Sequence, residues 1–225
     1  MTARHKVQPH HVESAIQLQG RILECVRLIG PASRLLDVGC SFGWLAPLAR
    51  SKGVAAYVGV DLPDGSFPQP EDGVAFQVGS ALDLPFPDQS FDALCLFDVI
   101  EHLPTDMEIT AIREAHRVLV PGGHLYLSTP HASWLHTPLD PAWYFGHRHY
   151  RRQTVETMLR RAGFTKEKLF VAGGLAECLD YLMFLVNKHL FRRPMPRFAI
   201  WNRLIERSHG KDHSIGMTIF AVASR

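Results

Sequence analysis

At 225 residues, 46% of them hydrophobic, the chain can bury a substantial core and is read most simply as one domain over residues 1–225. Basic and acidic residues number 24 and 22, and the resulting net charge of +2 excludes the strongly basic surface of a general nucleic-acid binder. Cys25, Cys40, Cys95 and Cys178 follow no C-x-x-C spacing, the N-terminal Met1-Thr2-Ala3-Arg4-His5-Lys6 lacks the apolar run of a signal peptide, and no apolar span is long enough to cross a bilayer, so reduced thiols and a cytoplasmic location are expected.

Val12, Ala15, Ile16, Ile22, Leu23, Val26 and Leu28-Ile29 recur at helical spacing and predict an amphipathic helix over about residues 10–30, stopped at Gly30-Pro31 and covering the sheet or its ligand. Apolar runs at 34–38, 57–60, 74–78, 93–97 and 125–128 predict five strands, with helices at 44–52 and 105–119. Strands alternating with helices imply right-handed crossovers and a mainly parallel sheet. The connection 62–73 holds Pro63, Gly65, Pro68, Pro70 and Gly73, too many breakers for a crossover helix, and is expected to be reduced to a turn. A stretch rich in His and aromatic residues follows at 129–149, then a helix at about 153–162 closed by Gly163, a sixth strand at 164–172 and a seventh at 213–223. Between these last strands lies an insertion of about 173–210, apolar over 175–186 and then carrying Arg192, Arg193, Arg197, Arg203 and Arg207. It reads either as a helix pair packed on the core or as an interfacial helix with a cationic flank in peripheral contact with a membrane.

The most informative stretch is Leu35-Leu36-Asp37-Val38-Gly39-Cys40-Ser41-Phe42-Gly43-Trp44, a buried-strand run passing through glycines into a helix. Glycine permits a tight turn and close ligand approach, and backbone N–H groups are expected to lie open there for a nucleotide-type cofactor. The dinucleotide fingerprint requires glycine at positions held by Gly39, Ser41 and Trp44, so only one of three is met; no Gly-Lys-Ser/Thr of a phosphate loop follows. A second strand, Tyr57-Val58-Gly59-Val60-Asp61, ends in an acid about twenty residues beyond the glycine turn, the spacing at which a carboxylate meets ribose hydroxyls.

Asp37, Gly39, Ser41 and Gly43 resemble the first motif of the class I S-adenosylmethionine-dependent methyltransferases, within them the type 11, ubiquinone-type small-molecule group; the middle glycine is a serine here. Further stations follow in the family's order over about residues 30–170. These are Asp61 after strand two, Val78-Gly79-Ser80-Ala81-Leu82-Asp83-Leu84-Pro85-Phe86 after strand three, the run from Phe91 to Leu103 at strand four, and Arg117-Val118-Leu119-Val120-Pro121-Gly122-Gly123 before strand five. The resemblance implies a Rossmann-like α/β fold: a seven-stranded, mostly parallel sheet with an antiparallel last strand and helices on both faces. It implies S-adenosylmethionine as cofactor, with Asp37, Gly39, Cys40, Ser41 and Gly43 at its methionine end, Asp61 at the ribose, Ser80 and Ala81 at the adenine, and Leu62 and Phe97 as further cofactor-binding residues. Ser80 stands where the family often has an acid, and Asp83 is the alternative partner for the adenine amino group.

The resemblance implies an enzyme that methylates a small-molecule acceptor, with a hydroxyl of a glycan, quinone or lipid-type precursor expected. Methyl transfer asks the protein for position and a polarised nucleophile more than for covalent chemistry. His102 is the candidate base, the other reading being a residue that packs the following turn. Asp98, Glu101 and His102 also permit a cation site, but no metal is expected. His147 and His149 are the candidates for contact with the acceptor, from a region that also holds His131, His136, Trp134, Trp143, Tyr144, Phe145 and Tyr150. Gly146-His147-Arg148-His149-Tyr150-Arg151-Arg152 reads as an anion-binding phrase or as a solvated basic face. A non-catalytic cofactor-binding module and a nucleic-acid methyltransferase remain alternatives. The second lacks an Asn/Asp-Pro-Pro-Tyr-type pocket after strand four, and no nucleic-acid partner is expected.

Overall fold

The computed structural model describes residues 20–63, 67–134, 137–139, 143, 146–174, 179, 183, 212 and 216–225. Their elements in chain order are helix α1 (Gly20–Leu28), β1 (Arg34–Val38), α2 (Ala46–Ser51), β2 (Ala56–Asp61), β3 (Val74–Val78), β4 (Phe91–Phe97), a 3-10 turn (Ile100–His102), α3 (Glu108–Val118), β5 (Leu119–Pro130), a second 3-10 turn (Thr137–Leu139), α4 (Arg152–Arg161), β6 (Thr165–Ala172) and β7 (Thr218–Ser224). The seven strands form one sheet in the order β3-β2-β1-β4-β5-β7-β6. β1 pairs in parallel with β2 and β4, as do β2 with β3 and β4 with β5. β7 is antiparallel to both β5 and β6.

Period-two alternation sends the two sides of each central strand into separate cores. Leu36 and Val38 of β1 with Leu94 and Leu96 of β4 pack beneath Ile112, Ala115 and Val118 of α3 and Val155 and Leu159 of α4. Leu35 and Tyr57 with Ala93, Cys95 and Phe97 face the other way, toward Cys25 of α1 and Ala46 and Ala49 of α2. Helices therefore cover both faces, as the doubly wound pattern requires. Strand order reverses between β1 and β4, and a crevice at the carboxyl ends of such strands is where α/β sheets bind ligands.

Several boundaries differ from the sequence reading. β5 is longer than 125–128 because Leu119 pairs with Phe91 ahead of a register shift at the Pro-Gly-Gly segment, while Thr129 and Pro130 pair with β7. β7 begins at Thr218; Gly216 and Met217 precede it, and a Cβ on Gly216 would lie 2.6 Å from the Ala172 carbonyl oxygen. Among the described residues of 62–73 there is no helix, in line with its breakers. Of the N-terminal helix the described part is α1; residues 1–19 lie outside the described residues, as does nearly all of the 173–210 insertion, including its five arginines. No helix among the described residues is long and apolar enough to cross a membrane.

Candidate functional site

The glycine turn closes on the neighbouring strand. Gly39 and Cys40 donate their N–H groups to the Val60 carbonyl at 2.8 and 3.2 Å, Gly43 donates to Cys40 O at 2.8 Å, and Ser41 donates to Asp61 Oδ2 at 2.7 Å. These four donors are thus not open to a ligand, contrary to the sequence expectation; they fasten the turn to β2 and aim the Asp61 carboxylate. Gly39 and Gly43 have φ of 78° and 74°, and Ser41 itself adopts 49°, a left-handed conformation that an L-residue occupies at a cost of about 1–2 kcal/mol. A Cβ on Gly39 would lie 2.6 Å from the Val99 side chain, and one on Gly43 2.7 Å from the Phe76 ring, so the turn is also packed where only glycine fits.

Asp61, at the end of β2, accepts from Ser41 N through one oxygen and from Leu62 N at 2.7 Å through the other, and remains partly exposed. Asp37, near the end of β1, is buried, and desolvation pushes its carboxyl up to about 7 against the stabilising hydrogen bond from Tyr57; the Asp61 charge raises it further. After β3, Gly79 N donates to Asp61 O at 2.9 Å, Leu82 N donates to Ser80 Oγ at 3.1 Å and Asp83 N donates to Ser80 O at 3.1 Å. Ser80 thereby turns the segment beside Asp61, with Ala81 half-buried and Asp83 exposed. Leu62, just after β2, and Val78, at the end of the edge strand β3, are exposed at 62% and 52%.

Beyond β4 the chain turns sharply. Asp98 has φ of 55°; its N–H donates to Ser128 O and its Oδ1 accepts from the Ser128 hydroxyl, both at 3.0 Å, while Oδ2 pairs with Arg21 of α1 at 3.1 Å. Glu101 points inward, accepting from the Thr129 hydroxyl at 3.0 Å, and burial with the nearby Asp98 charge pushes it up to about 8. His102 points outward, and its ring meets that of His147 edge-to-face with centroids 4.3 Å apart. Burial and the second imidazole lower its proton affinity, with Asp98 opposing. Asp98, Glu101 and His102 thus diverge, and no group of three His, Cys, Asp or Glu side chains among the described residues converges as a metal site would.

The raised Glu101 has a measurable consequence. The folded protein holds a proton on this carboxyl between about pH 4.5 and pH 8 that the unfolded chain releases, so this group's contribution to stability is lost as pH rises through that window. Glu101→Gln removes the titration while leaving an oxygen for Thr129. Thermal melts should show the variant gaining on the wild type as pH rises from about 5 to about 8.5, and equal slopes would contradict the buried acid.

Two arginines of the basic phrase are tied to acids of the chain, while Arg151 is exposed. Arg148 pairs with buried Glu108 at 2.9 Å and donates to the carbonyls of Ile100, at 3.0 Å, and Leu103; Arg152 donates to Leu169 O at 3.0 Å and pairs with Asp212. Tyr150 shares its single hydroxyl proton between Glu108, at 2.9 Å, and Ile100 O, at 3.2 Å. Together these bonds clamp the 146–150 loop onto the turn after β4, which is what brings His147 to His102. His149 sits apart, its Nδ1 2.9 Å from the Thr137 hydroxyl, and His131 is buried with Nδ1 2.8 Å from Gly216 O. His136, Tyr144, Phe145 and Cys178 lie outside the described residues; Cys25, Cys40 and Cys95 are buried thiols. Tyr57, Arg21, Ser128, Thr129 and Glu108 were not singled out from sequence, because each acts through a partner distant in the chain.

Comparison with known proteins matches residues 36–127 to a methyltransferase domain family. The chain is 32% identical over 103 residues to 27-O-demethylrifamycin SV methyltransferase of Amycolatopsis mediterranei, covering 42% of this chain and 37% of that protein. It is 33% identical over 165 residues to malonyl-[acyl-carrier protein] O-methyltransferase of Methylococcus capsulatus, covering 66% and 58%. The chain therefore spans well under the full length of either relative. In fold it is similar to an S-adenosylmethionine-dependent methyltransferase from Mesorhizobium loti, with a TM-score of 0.62 at 17% identity over 95% of this chain and 100% of that one. Sheet order, the glycine turn at the end of β1 and the matched segment agree: residues 36–127 belong to a methyltransferase domain family, and the chain has the fold of the S-adenosylmethionine-dependent methyltransferases.

Proposed function

We propose that the protein transfers the methyl group of S-adenosylmethionine to an oxygen of a small-molecule acceptor, a hydroxyl of a glycan, quinone or lipid-type precursor. The observation that carries this reading is the placement of Asp37 and Asp61 at the carboxyl ends of adjacent parallel strands, with His102 and His147 beyond the end of β4. The donor set fits the cofactor. Its cationic amino-acid end suits Asp37, whose electrostatic neighbours are a phenol and another acid rather than a cation. The ribose hydroxyls suit Asp61, each of whose oxygens already accepts one N–H and keeps a further lone pair. Ser80 and Ala81 are assigned to the adenine, and Leu62, Phe97 and the turn of Gly39, Cys40, Ser41 and Gly43 to the rest of the cofactor.

When bound, the cofactor supplies an electrophilic methyl group on sulfur, open to in-line displacement. The protein's share is to hold the acceptor in line, exclude water and accept the proton its hydroxyl loses. His102 is assigned that proton, since a neutral imidazole is the form its surroundings favour. His147 flanks it; His149, tied to Thr137, is assigned to the acceptor wall rather than to proton transfer.

Support for oxygen as the acceptor atom comes from the two relatives, whose names both describe O-methyl chemistry. Support for an apolar acceptor comes from exposed Trp134, at 80%, and from Leu179 and Met183 in the insertion, which is also the segment proposed for peripheral membrane contact. Incubation with S-adenosylmethionine and fractionated quinone, lipid and glycan pools is expected to release S-adenosylhomocysteine with one class. Cofactor binding without by-product from any pool would favour a non-catalytic module, and RNA or DNA affinity falling steeply with salt would favour a nucleic-acid enzyme.

A further inference from the structure

β1 and β2 run parallel with Leu35 opposite Tyr57 and Asp37 opposite Gly59. Residues two apart on a strand share a face, so Tyr57 and Gly59 lie on one side of β2 and Leu35 and Asp37 on the same side of β1. Gly59 brings no side chain, and a Cβ there would lie 2.7 Å from the Phe76 ring and 2.8 Å from Cys40 Sγ. Diagonal neighbours on adjacent strands lie within reach of an aromatic side chain, and here that diagonal is used. Tyr57 lies edge-on to Phe76 with centroids 6.0 Å apart, and its hydroxyl donates to Asp37 Oδ2 at 2.5 Å. Both partners are buried, at 1% and 3% exposure.

We propose that Tyr57 is a positioning residue of the cofactor site, its hydroxyl fixing the Asp37 carboxylate for the cationic amino group of S-adenosylmethionine and setting the pH range in which that group is held. The inference rests on the reading of Asp37 as the acid at the methionine end. The groups facing Asp37 are Tyr57 and Asp61 from β2, with the thiols of Cys25 on α1 and Cys95 on β4 nearby and that of Cys40 beside Tyr57; none is a cation. The phenol is the one neighbour that stabilises the ionised form, opposing burial and Asp61, which leave the group near 7. Affinity for the amino-acid end should accordingly rise with pH through about 7 and fall again only where the ligand's α-amino group loses its proton. Without the phenol the lower limb moves up toward the upper one, and the maximum drops.

The test is calorimetric titration of the full chain with S-adenosylhomocysteine, which shares the amino-acid end, and with 5′-methylthioadenosine, which lacks it. Tyr57→Phe is expected to weaken S-adenosylhomocysteine binding at neutral pH by about tenfold, the scale of a buried hydrogen bond to a charged group, and to shift the acid limb upward. Its affinity for methylthioadenosine should equal that of the wild type. In an Asp37→Asn background, where no charge titrates, the acid limb should vanish and Tyr57→Phe should add nothing. An unchanged pH profile in Tyr57→Phe, or equal losses for both ligands, would overturn the proposal. A wild type that binds neither nucleoside would remove the cofactor reading of the cleft along with it.

Discussion

Replacing His102 with alanine is expected to lower kcat by about 10²- to 10⁴-fold while leaving cofactor affinity unchanged, the range in which a positioned general base contributes to rate. The residue sits in the 3-10 turn Ile100–His102, directly after the strand at which sheet order reverses. That turn is held from outside its own element: Arg148 and Tyr150 both donate to the Ile100 carbonyl, and Glu108 fixes both of them. The imidazole is therefore carried on a braced support, and its outward face is met by His147.

The pH dependence has a definite sign. A base must be neutral to accept a proton, and burial together with the second imidazole lowers the affinity of His102 for one, so the rate should hold above about 6.5 and fall as pH drops through a lower value. Replacing His147 with alanine removes one of the influences keeping His102 neutral, and the acid limb should then move to higher pH. Initial rates of S-adenosylhomocysteine release across the range decide the matter. An acid limb unmoved in the His147 variant, or a His102→Ala enzyme with full turnover, would assign the pair to packing.

Much of the architecture was legible because the physical signals were local. Runs such as 93–97 and 57–60 could be strands because both of their faces are buried, and the breakers of 62–73 ruled out a helix from composition alone. The two glycines at 39 and 43 fall where φ is positive, and Ser41 between them shows that the turn tolerates a small L-residue in the same region. What the sequence could not supply were partners far along the chain. The N–H groups of Gly39 and Cys40 looked available from the motif, yet their acceptor is a carbonyl on β2 some twenty residues away. Arg148 looked like an anion ligand until Glu108, forty residues earlier, was found beside it. A tyrosine in a buried strand reads as packing, and only the register of β1 against β2 reveals that Tyr57 reaches a carboxylate. The Pro-Gly-Gly segment stands before strand five in the sequence reading, but β5 runs through it as an irregularity because pairing exists on both sides.

Asp61→Ala is expected to weaken S-adenosylmethionine binding by about 5- to 150-fold, corresponding to about 1–3 kcal/mol for a lost hydrogen bond to a charged group. Two effects act together. The ribose hydroxyls lose their acceptor, and the Ser41 N–H loses the carboxylate that ties a left-handed residue to the end of β2. Asp61→Asn separates them only in part, since an amide presents one oxygen to two backbone donors, Ser41 N and Leu62 N, and must set its own N–H₂ against one of them. The asparagine variant should therefore also bind weakly, with the alanine variant no more than modestly worse. Because Asp61 is partly exposed, the melting temperature should fall far less than affinity does. Calorimetry that returns wild-type affinity for either variant would detach Asp61 from the ribose, and with it the placement of the nucleoside across the ends of β1 and β2.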